Sequence, residues 1–339
     1  MKTLTFGEMM LRLKPTGFQR IIQTDTFEAG YGGAEANTAV SLALLNNDAA
    51  YLTKLPENAL GDAALATLRK YGVDTSRILR GGPRLGMYVF EKGNGARGTG
   101  VVYDRAGSSV ATAKSDEFNW PELLKDVGIF YFSGVTPAVS EELSEALNAA
   151  LAYCKDNKIT VICDLNYRGK MWSAEQAQQA MKKIMPFVDV CIANDEDFEA
   201  MLGIKAFDGN LAHGIDQIED FRLGMKEITK QYPNCKTVAS VLRNIHSVEQ
   251  SDWMAILYKD DQFFETPVHN INVMEGVAAG DAFGAGLIHG IVNNFADQEC
   301  IEFAIAASVL KLSISGDLNL VSEDEIRAAM SKGNSRLNR

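Results

Sequence analysis

The chain has 339 residues, 46% of them hydrophobic and 23% charged, and a formal net charge of −11. That length buries a large core in one large domain, or in one domain with an appendage, and the ordinary composition excludes disordered and fibrous classes. The acidic balance, with no long Lys/Arg run, excludes a nucleic-acid-binding face, and no stretch reaches the ~18 apolar residues of a membrane-spanning helix.

The segment MKTLTFGEMMLRLKP opens with a short apolar strand over 4–10, and its charges at Glu8, Arg12 and Lys14 interrupt the apolar stretch a signal peptide needs. A helix over about 35–45 and a strand over 49–55 follow. From residue 129 strands and helices alternate: strand 129–134, helix 140–155, strand 160–166, helix 173–184, strand 188–194, helix 195–202, helix 218–231 and strand 237–242. These strands are continuous Val/Ile/Cys/Ala runs, which predicts burial on both faces of a parallel sheet. The alternation predicts a doubly wound α/β fold. The five cysteines (Cys154, Cys163, Cys191, Cys235, Cys300) are scattered and form no CxxC pair, and the four histidines form no HExxH. A reducing cytosol suits that pattern, so the expected location is cytoplasmic.

Two segments break the rhythm. Residues 11–34 and 84–112 contain no good helix; in the second, Met87-Tyr88-Val89-Phe90, the turn-rich Gly93-Asn94-Gly95 and Val101-Val102-Tyr103 read as a hairpin. Inserted in an α/β frame, such pieces form a small β-sheet lid over a cleft or pair edges with another subunit; a decorative hairpin is the alternative. The expected division is therefore an α/β body of 1–10, 35–83 and 113–330, a lid of 11–34 and 84–112, and a polar, frayed tail of 331–339.

The sharpest local signal is Glu275-Gly276-Val277-Ala278-Ala279-Gly280-Asp281-Ala282-Phe283-Gly284-Ala285-Gly286. A strand-like stretch precedes it and an apolar helix over 282–292 follows. Small residues before a helix leave backbone N–H groups open, and the helix terminus adds positive potential, together a site for an anion such as a phosphoryl group. On spacing alone Asp281 is either a helix cap or a catalytic carboxylate, and the small residues equally suit close packing against a neighbour. A carboxylate so placed has its charged form stabilised and is a weak base. A second small-residue segment, Gly30-Tyr31-Gly32-Gly33-Ala34-Glu35-Ala36-Asn37, lacks the GxGxxG spacing of a dinucleotide site. Its glycines bring backbone close to a small polar ligand, with Asn37 supplying an amide.

Gly32-Gly33 with Asn37, and far downstream Gly280-Asp281 at a helix start, resemble the ribokinase family of carbohydrate kinases; Gly61-Asp62 and the 72–76 segment are similar to family patterns too. The resemblance spans nearly the whole chain. It implies a three-layer, doubly wound, mostly parallel α/β domain with a small β lid, ATP and Mg²⁺ as cofactors, Asp281 as base for the acceptor hydroxyl, and the backbone of Ala278, Ala279 and Gly280 as an anion hole. Within the family, the segments 103–109, 164–168 with Trp172, 237–243 and 313–319 look like 2-keto-3-deoxygluconate kinases. Phosphorylation of that sugar acid at its terminal hydroxyl, by an enzyme, is the implied activity. The implied acceptor residues are Gly33, Asn37, Tyr88, Tyr103, Arg105 and Arg168. The two arginines match a substrate carboxylate, although each also suits an ordinary surface ion pair. Asn194, Arg243, Gly280 and Gly316 are the implied ATP contacts. Asn194-Asp195-Glu196-Asp197 resembles the family's NxxE motif with Asp197 in place of the glutamate, implying an indirect role through Mg²⁺-bound water; helix capping is the alternative.

The resemblance has departures. Family members usually carry Asp at the place of Glu275 and Gly at the place of Ala278. If residue 278 takes a positive φ, alanine there costs roughly 1–2 kcal/mol. Two other readings stay open: a kinase for a neutral sugar such as fructose or ribose, against which the arginines speak, and a weakened sugar-acid sensor on the same fold. The expected partners are a small sugar acid and a second copy of the chain through the lid, with neither nucleic acid nor membrane.

Overall fold

The computed structural model describes residues 1–330; the tail 331–339, expected to fray, lies outside the described residues. The strands, in chain order, are β1 (Lys2–Phe6), β2 (Met10–Pro15), β3 (Phe27–Gly32), β4 (Ala49–Leu52), β5 (Lys54–Leu55), β6 (Leu79–Arg80), β7 (Gly86–Glu91), β8 (Gly100–Asp104), β9 (Val127–Ser133), β10 (Thr160–Asp164), β11 (Val190–Ile192), β12 (Thr237–Ile245), β13 (Gln250–Lys259), β14 (Gln262–Glu265) and β15 (His269–Asn272). Among the described residues nine strands form one sheet in the order β14-β13-β12-β11-β10-β9-β1-β4, with β15 also paired to β13. From β4 to β12 every pairing is parallel.

The parallel part is buried on both faces, as its apolar runs require. On β9, Phe130 and Phe132 point into one core with Leu147, Met181 and Phe221 of the helices Glu141–Asp156, Ala174–Ile184 and Ile218–Gln231. Ile129 and Tyr131, the alternate residues, point into a second core with Phe283, Ile288 and Ile301 of the helices Ala279–Val292 and Asp297–Lys311. Helices on both faces of a mostly parallel sheet make three layers.

The edge beyond β12 was not anticipated. β13, β14 and β15 are antiparallel and close it with hairpins. β14 and β15 mix polar and apolar residues and are half-exposed, but β13 carries a buried apolar run over 253–258 much like those of the parallel strands. The opening strand also differs from expectation: β1 stops at Phe6, and Met10 begins β2, a strand of the second sheet.

That second sheet has four strands in the order β3-β2-β7-β8. β7 and β8 pair antiparallel, as the hairpin pattern predicts, and β2 joins β7 in parallel. On β2 the buried residues are Met10, Arg12, Lys14 and the terminal Pro15, so two cations face inward where an apolar side would be ordinary.

Candidate active site

A cleft of about 1720 Å³ runs between the small sheet and the main sheet. Asp281 lies in the first turn of the Ala279–Val292 helix and lines this cleft although only 7% exposed. Asn37, from the helix Ala34–Leu44, donates from Nδ2 to Asp281 Oδ2 at 2.7 Å and fixes the carboxyl. Burial pushes the Asp281 carboxyl up to about 7; Asp317 and Glu35 push the same way, and the Asn37 bond and Arg168 oppose them. The carboxyl is therefore a far better base than its position at a helix terminus alone suggests. Desolvation outweighs the helix's positive end. Farther along this helix the small residues serve packing. A Cβ on Gly286 would come within 2.8 Å of Ala304, and one on Gly290 within 2.5 Å of Cys300 Sγ. A Cβ on Gly280 would meet nothing within 4 Å, so the turn carrying Asp281 faces open space.

Ala278 caps the helix with φ 60° and ψ 15°, the left-handed region. The strain expected of alanine there, roughly 1–2 kcal/mol, is thus present. Glu275 is 2% exposed and ion-paired with Arg12 and Lys14. Burial would raise this carboxyl, but the bond and charge of Arg12, the Gly316 amide and Lys14 together hold it at about 2.

Gly33, Asn37, Tyr88, Tyr103, Arg105 and Arg168 all line the cleft. Gly33 is extended (φ 171°), and a Cβ on it would sit 1.9 Å from the Glu8 carbonyl oxygen, so glycine is needed for the close backbone approach. Arg105 donates from Nε to Glu8 Oε2 at 2.7 Å, and Ser108 Oγ donates to Glu8 Oε1 at 2.5 Å. Its ion pair is a half-buried one at the cleft wall, with a carboxylate that fixes one edge of the guanidinium. Arg168 is exposed and, among the described residues, donates only to the Tyr167 carbonyl, at 3.0 Å. Tyr103 is 43% exposed, its ring 5.8 Å from that of Tyr88. Tyr88 departs from expectation: it is buried and its hydroxyl donates to Asp317 Oδ2, so its proton is already committed.

Asn194, Asp197 and Arg243 also line the cleft. Asn194 Oδ1 accepts from the Val241 amide at 2.8 Å, which pins the turn after β11 to β12. Arg243 is ion-paired with Asp195 and lies 5.2 Å over the Trp253 ring. Burial lowers its guanidinium to about 10, helped by Arg168. Each Asp197 oxygen accepts one backbone amide, Tyr167 at 2.7 Å and Asn194 at 2.9 Å. With one amide on each oxygen and only 5% of the residue exposed, that carboxylate fits an outer contact to a hydrated Mg²⁺ better than direct ligation. Among the described residues no three His, Cys, Asp or Glu side chains are grouped to hold a metal. Gly316 stays off the cleft wall; it has φ +87°, and its amide donates to Glu275 Oε1 at 3.0 Å. That bond helps hold the Glu275 carboxylate in place.

Arg12, Lys14, Glu8 and Asp317 escaped sequence reasoning. Their signal was faint: two cations two apart on a strand, hence on one face, and an Asp directly after Gly316.

The chain matches the pfkB family carbohydrate kinases over residues 2–324. It is 31% identical over 336 residues to a 2-dehydro-3-deoxygalactonokinase of Haloferax volcanii, covering 99% of this chain and 98% of the relative. It is 24% identical to a 2-dehydro-3-deoxygluconokinase of Bacillus subtilis, covering 93% and 91%. The crystal structure of a Thermotoga maritima 2-dehydro-3-deoxygluconokinase superposes with a TM-score of 0.93 at 44% identity, covering 97% and 99%. With the family matched from β1 to the helix Glu323–Met330, and its two sheets and cleft in place, this chain belongs to the pfkB family of carbohydrate kinases.

Proposed function

We propose that this carbohydrate kinase transfers the terminal phosphoryl group of ATP to a small sugar acid, 2-keto-3-deoxygluconate or its galacto epimer, at the 6-hydroxyl. The observation that carries the reading is one cleft lined both by a carboxyl pushed up to about 7, Asp281, and by two arginines, Arg105 and Arg168. A neutral sugar has no group for those guanidiniums, whereas a keto acid's carboxylate matches the planar fork. The names of the relatives at 31% and 44% identity point the same way.

In this reading Asp281 takes the proton of the acceptor hydroxyl, whose oxygen bonds to the transferring phosphorus as the bond to ADP breaks. Such transfers are loose, so positioning and charge stabilisation dominate. The amides of Ala278, Ala279 and Gly280 face the transferred group. Asn194, Asp197 and Arg243 form the nucleotide end, where Asp197 orders water around Mg²⁺. The ion supplies charge neutralisation on the phosphates when bound.

The small sheet serves as a lid that excludes water. It also carries Phe18, Ile22 and Phe27, each at least 41% exposed. That apolar set supports a homodimer through the lid, and five buried free cysteines support a cytoplasmic enzyme. Among the described residues no helix is long and apolar enough to cross a membrane.

A second reading, a neutral-sugar kinase, has one observation in its favour: Glu8 already engages Arg105. ADP release measured across a panel of keto acids and neutral sugars separates the two. Higher kcat/KM for fructose or ribose than for any keto acid would overturn the sugar-acid reading.

A further inference from the structure

Glu275 stands six residues before Asp281, and no step of the transfer proposed above needs its carboxylate. Yet the fold surrounds it with donors from two other parts of the chain. Arg12 on β2 donates from Nη2 to Oε1, and Lys14, two residues on, reaches Oε2 at 3.2 Å. Ser315 Oγ donates to Oε2 at 3.1 Å, and the Gly316 amide donates to Oε1 at 3.0 Å. The other Nη of Arg12 lies 3.0 Å from Asp317 Oδ1, and Asp317 also receives the Tyr88 hydroxyl from β7. The guanidinium rests 4.4 Å over the ring of Phe90, on the same strand as Tyr88. One fork therefore bridges two carboxylates and ties the small sheet to both the 275–280 and the 315–317 segments.

The same loop is divided between two bodies. Val277 packs against Met10, Tyr88 and Phe90 of the small sheet. Ala279, two residues later, is buried in the core of the main sheet, and its carbonyl accepts from Ser308 Oγ at 2.9 Å. Ala278 lies between these attachments, at φ 60°. A non-glycine residue stays in that conformation only when its surroundings over-determine it. Here the surroundings are the small sheet on one side and the main sheet on the other.

We propose that Glu275 is a positioning residue: through Arg12 it makes the shape of the 275–280 segment, and so the presentation of its amides to the transferred group, conditional on the small sheet being seated. The inference rests on the phosphotransfer reading and adds a coupling to it. Tyr88, Tyr103 and the adjoining Arg105 belong to the same small-sheet unit, so an acceptor that draws the sheet down also sets the loop. Loop placement then affects the transition state more than either bound substrate, because a shift of about 1 Å costs on the order of 10²-fold in a positioning-dominated transfer.

The test compares Glu275→Gln, Glu275→Asp and Arg12→Lys by kcat, by KM for ATP and acceptor, and by thermal melting. Glu275→Gln keeps shape and loses charge; Arg12→Lys keeps charge and loses the two-pronged bridge. Both are expected to lower kcat by at least about tenfold with each KM within about threefold of wild type, and Glu275→Asp to restore most of the turnover. The coupling is overturned if kcat stays within about twofold in either variant, or if kcat and both KM values shift together with the melting temperature. Should Glu275→Gln fail to fold, Arg12→Lys and Glu275→Asp decide on the same criteria. The acceptor used is whichever the wild type turns over. A wild type active only on neutral sugars defeats the sugar-acid reading and leaves this test intact, while a wild type inert with every acceptor defeats both.

Discussion

The core around β9 and the contact between the small sheet and the 275–280 loop are built from opposite materials. Around β9, Phe130 and Phe132 on one face and Ile129 and Tyr131 on the other are fully buried among apolar side chains. At the small sheet, Arg12, Lys14, Glu275 and Asp317 are each under 10% exposed and bonded to one another. Apolar burial is non-directional and scales with area, so the first region sets how stable the protein is. A buried ionic cluster adds little net stability and demands specific geometry, since removing one member strands the others. The second region fixes how the small sheet sits against the 275–280 loop.

That contrast is open to direct attack. The largest expected effect is on the apolar side: Phe130→Ala should cost ~3–5 kcal/mol of stability by denaturant unfolding, with kcat per folded molecule unchanged. A matching fall in kcat would mean the two regions are not separable. Next is Asp281→Asn, expected to lower kcat by at least ~10²-fold with little change in ATP binding; near-normal turnover would remove Asp281 as the base. Arg105→Ala should raise KM for a keto acid by about tenfold or more, the size of a lost charge-assisted bond, and raise KM for a neutral sugar less. Equal losses would end the carboxylate argument.

The pH dependence sharpens the comparison, because burial acts on both activity and stability at Asp281. With the carboxyl pushed up to about 7, kcat/KM should fall about tenfold per pH unit below that value as the base becomes protonated. For stability the sign is opposite. A folded pKa above the unfolded 3.8 gives a contribution that is full below about 4 and lost as pH rises through about 7. Asp281→Asn should therefore flatten part of the decline in melting temperature across that window, and an unchanged slope would contradict the shift. The smallest effect belongs to the joint between the regions: Ala278→Gly relieves the left-handed strain but frees the unfolded chain, a net gain of at most about 1 kcal/mol in melting experiments. A marked destabilisation would mean alanine is not strained there.

How much of this could be read in the sequence differs by region. The parallel strands and their helices were legible within a few residues, since apolar runs and helical periodicity are local properties. The helix Ile218–Gln231 was expected at its observed bounds. At the antiparallel edge, β14 and β15 are four-residue, half-exposed strands without a continuous apolar run, whereas the buried apolar run 253–258 of β13 carries a strand signal that the expected elements do not include. Asp281, Asn37 and the cleft arginines were named through motif resemblance. Their partners could not be: Asn37 and Asp281 are 244 residues apart, and Arg12 and Glu275 are 263 apart.

The sequence by itself determined the layered α/β architecture, the place of the helix that begins near Asp281, and the departures at 275 and 278. Those follow from spacing, side-chain volume and backbone sterics, which act over a few residues. Only the tertiary structure decided that burial pushes the Asp281 carboxyl up to about 7, that the Tyr88 proton goes to Asp317, and that Glu275 faces Arg12 and Lys14. Desolvation and ion pairing depend on which distant segments meet, and that is fixed only when the two sheets close on one cleft.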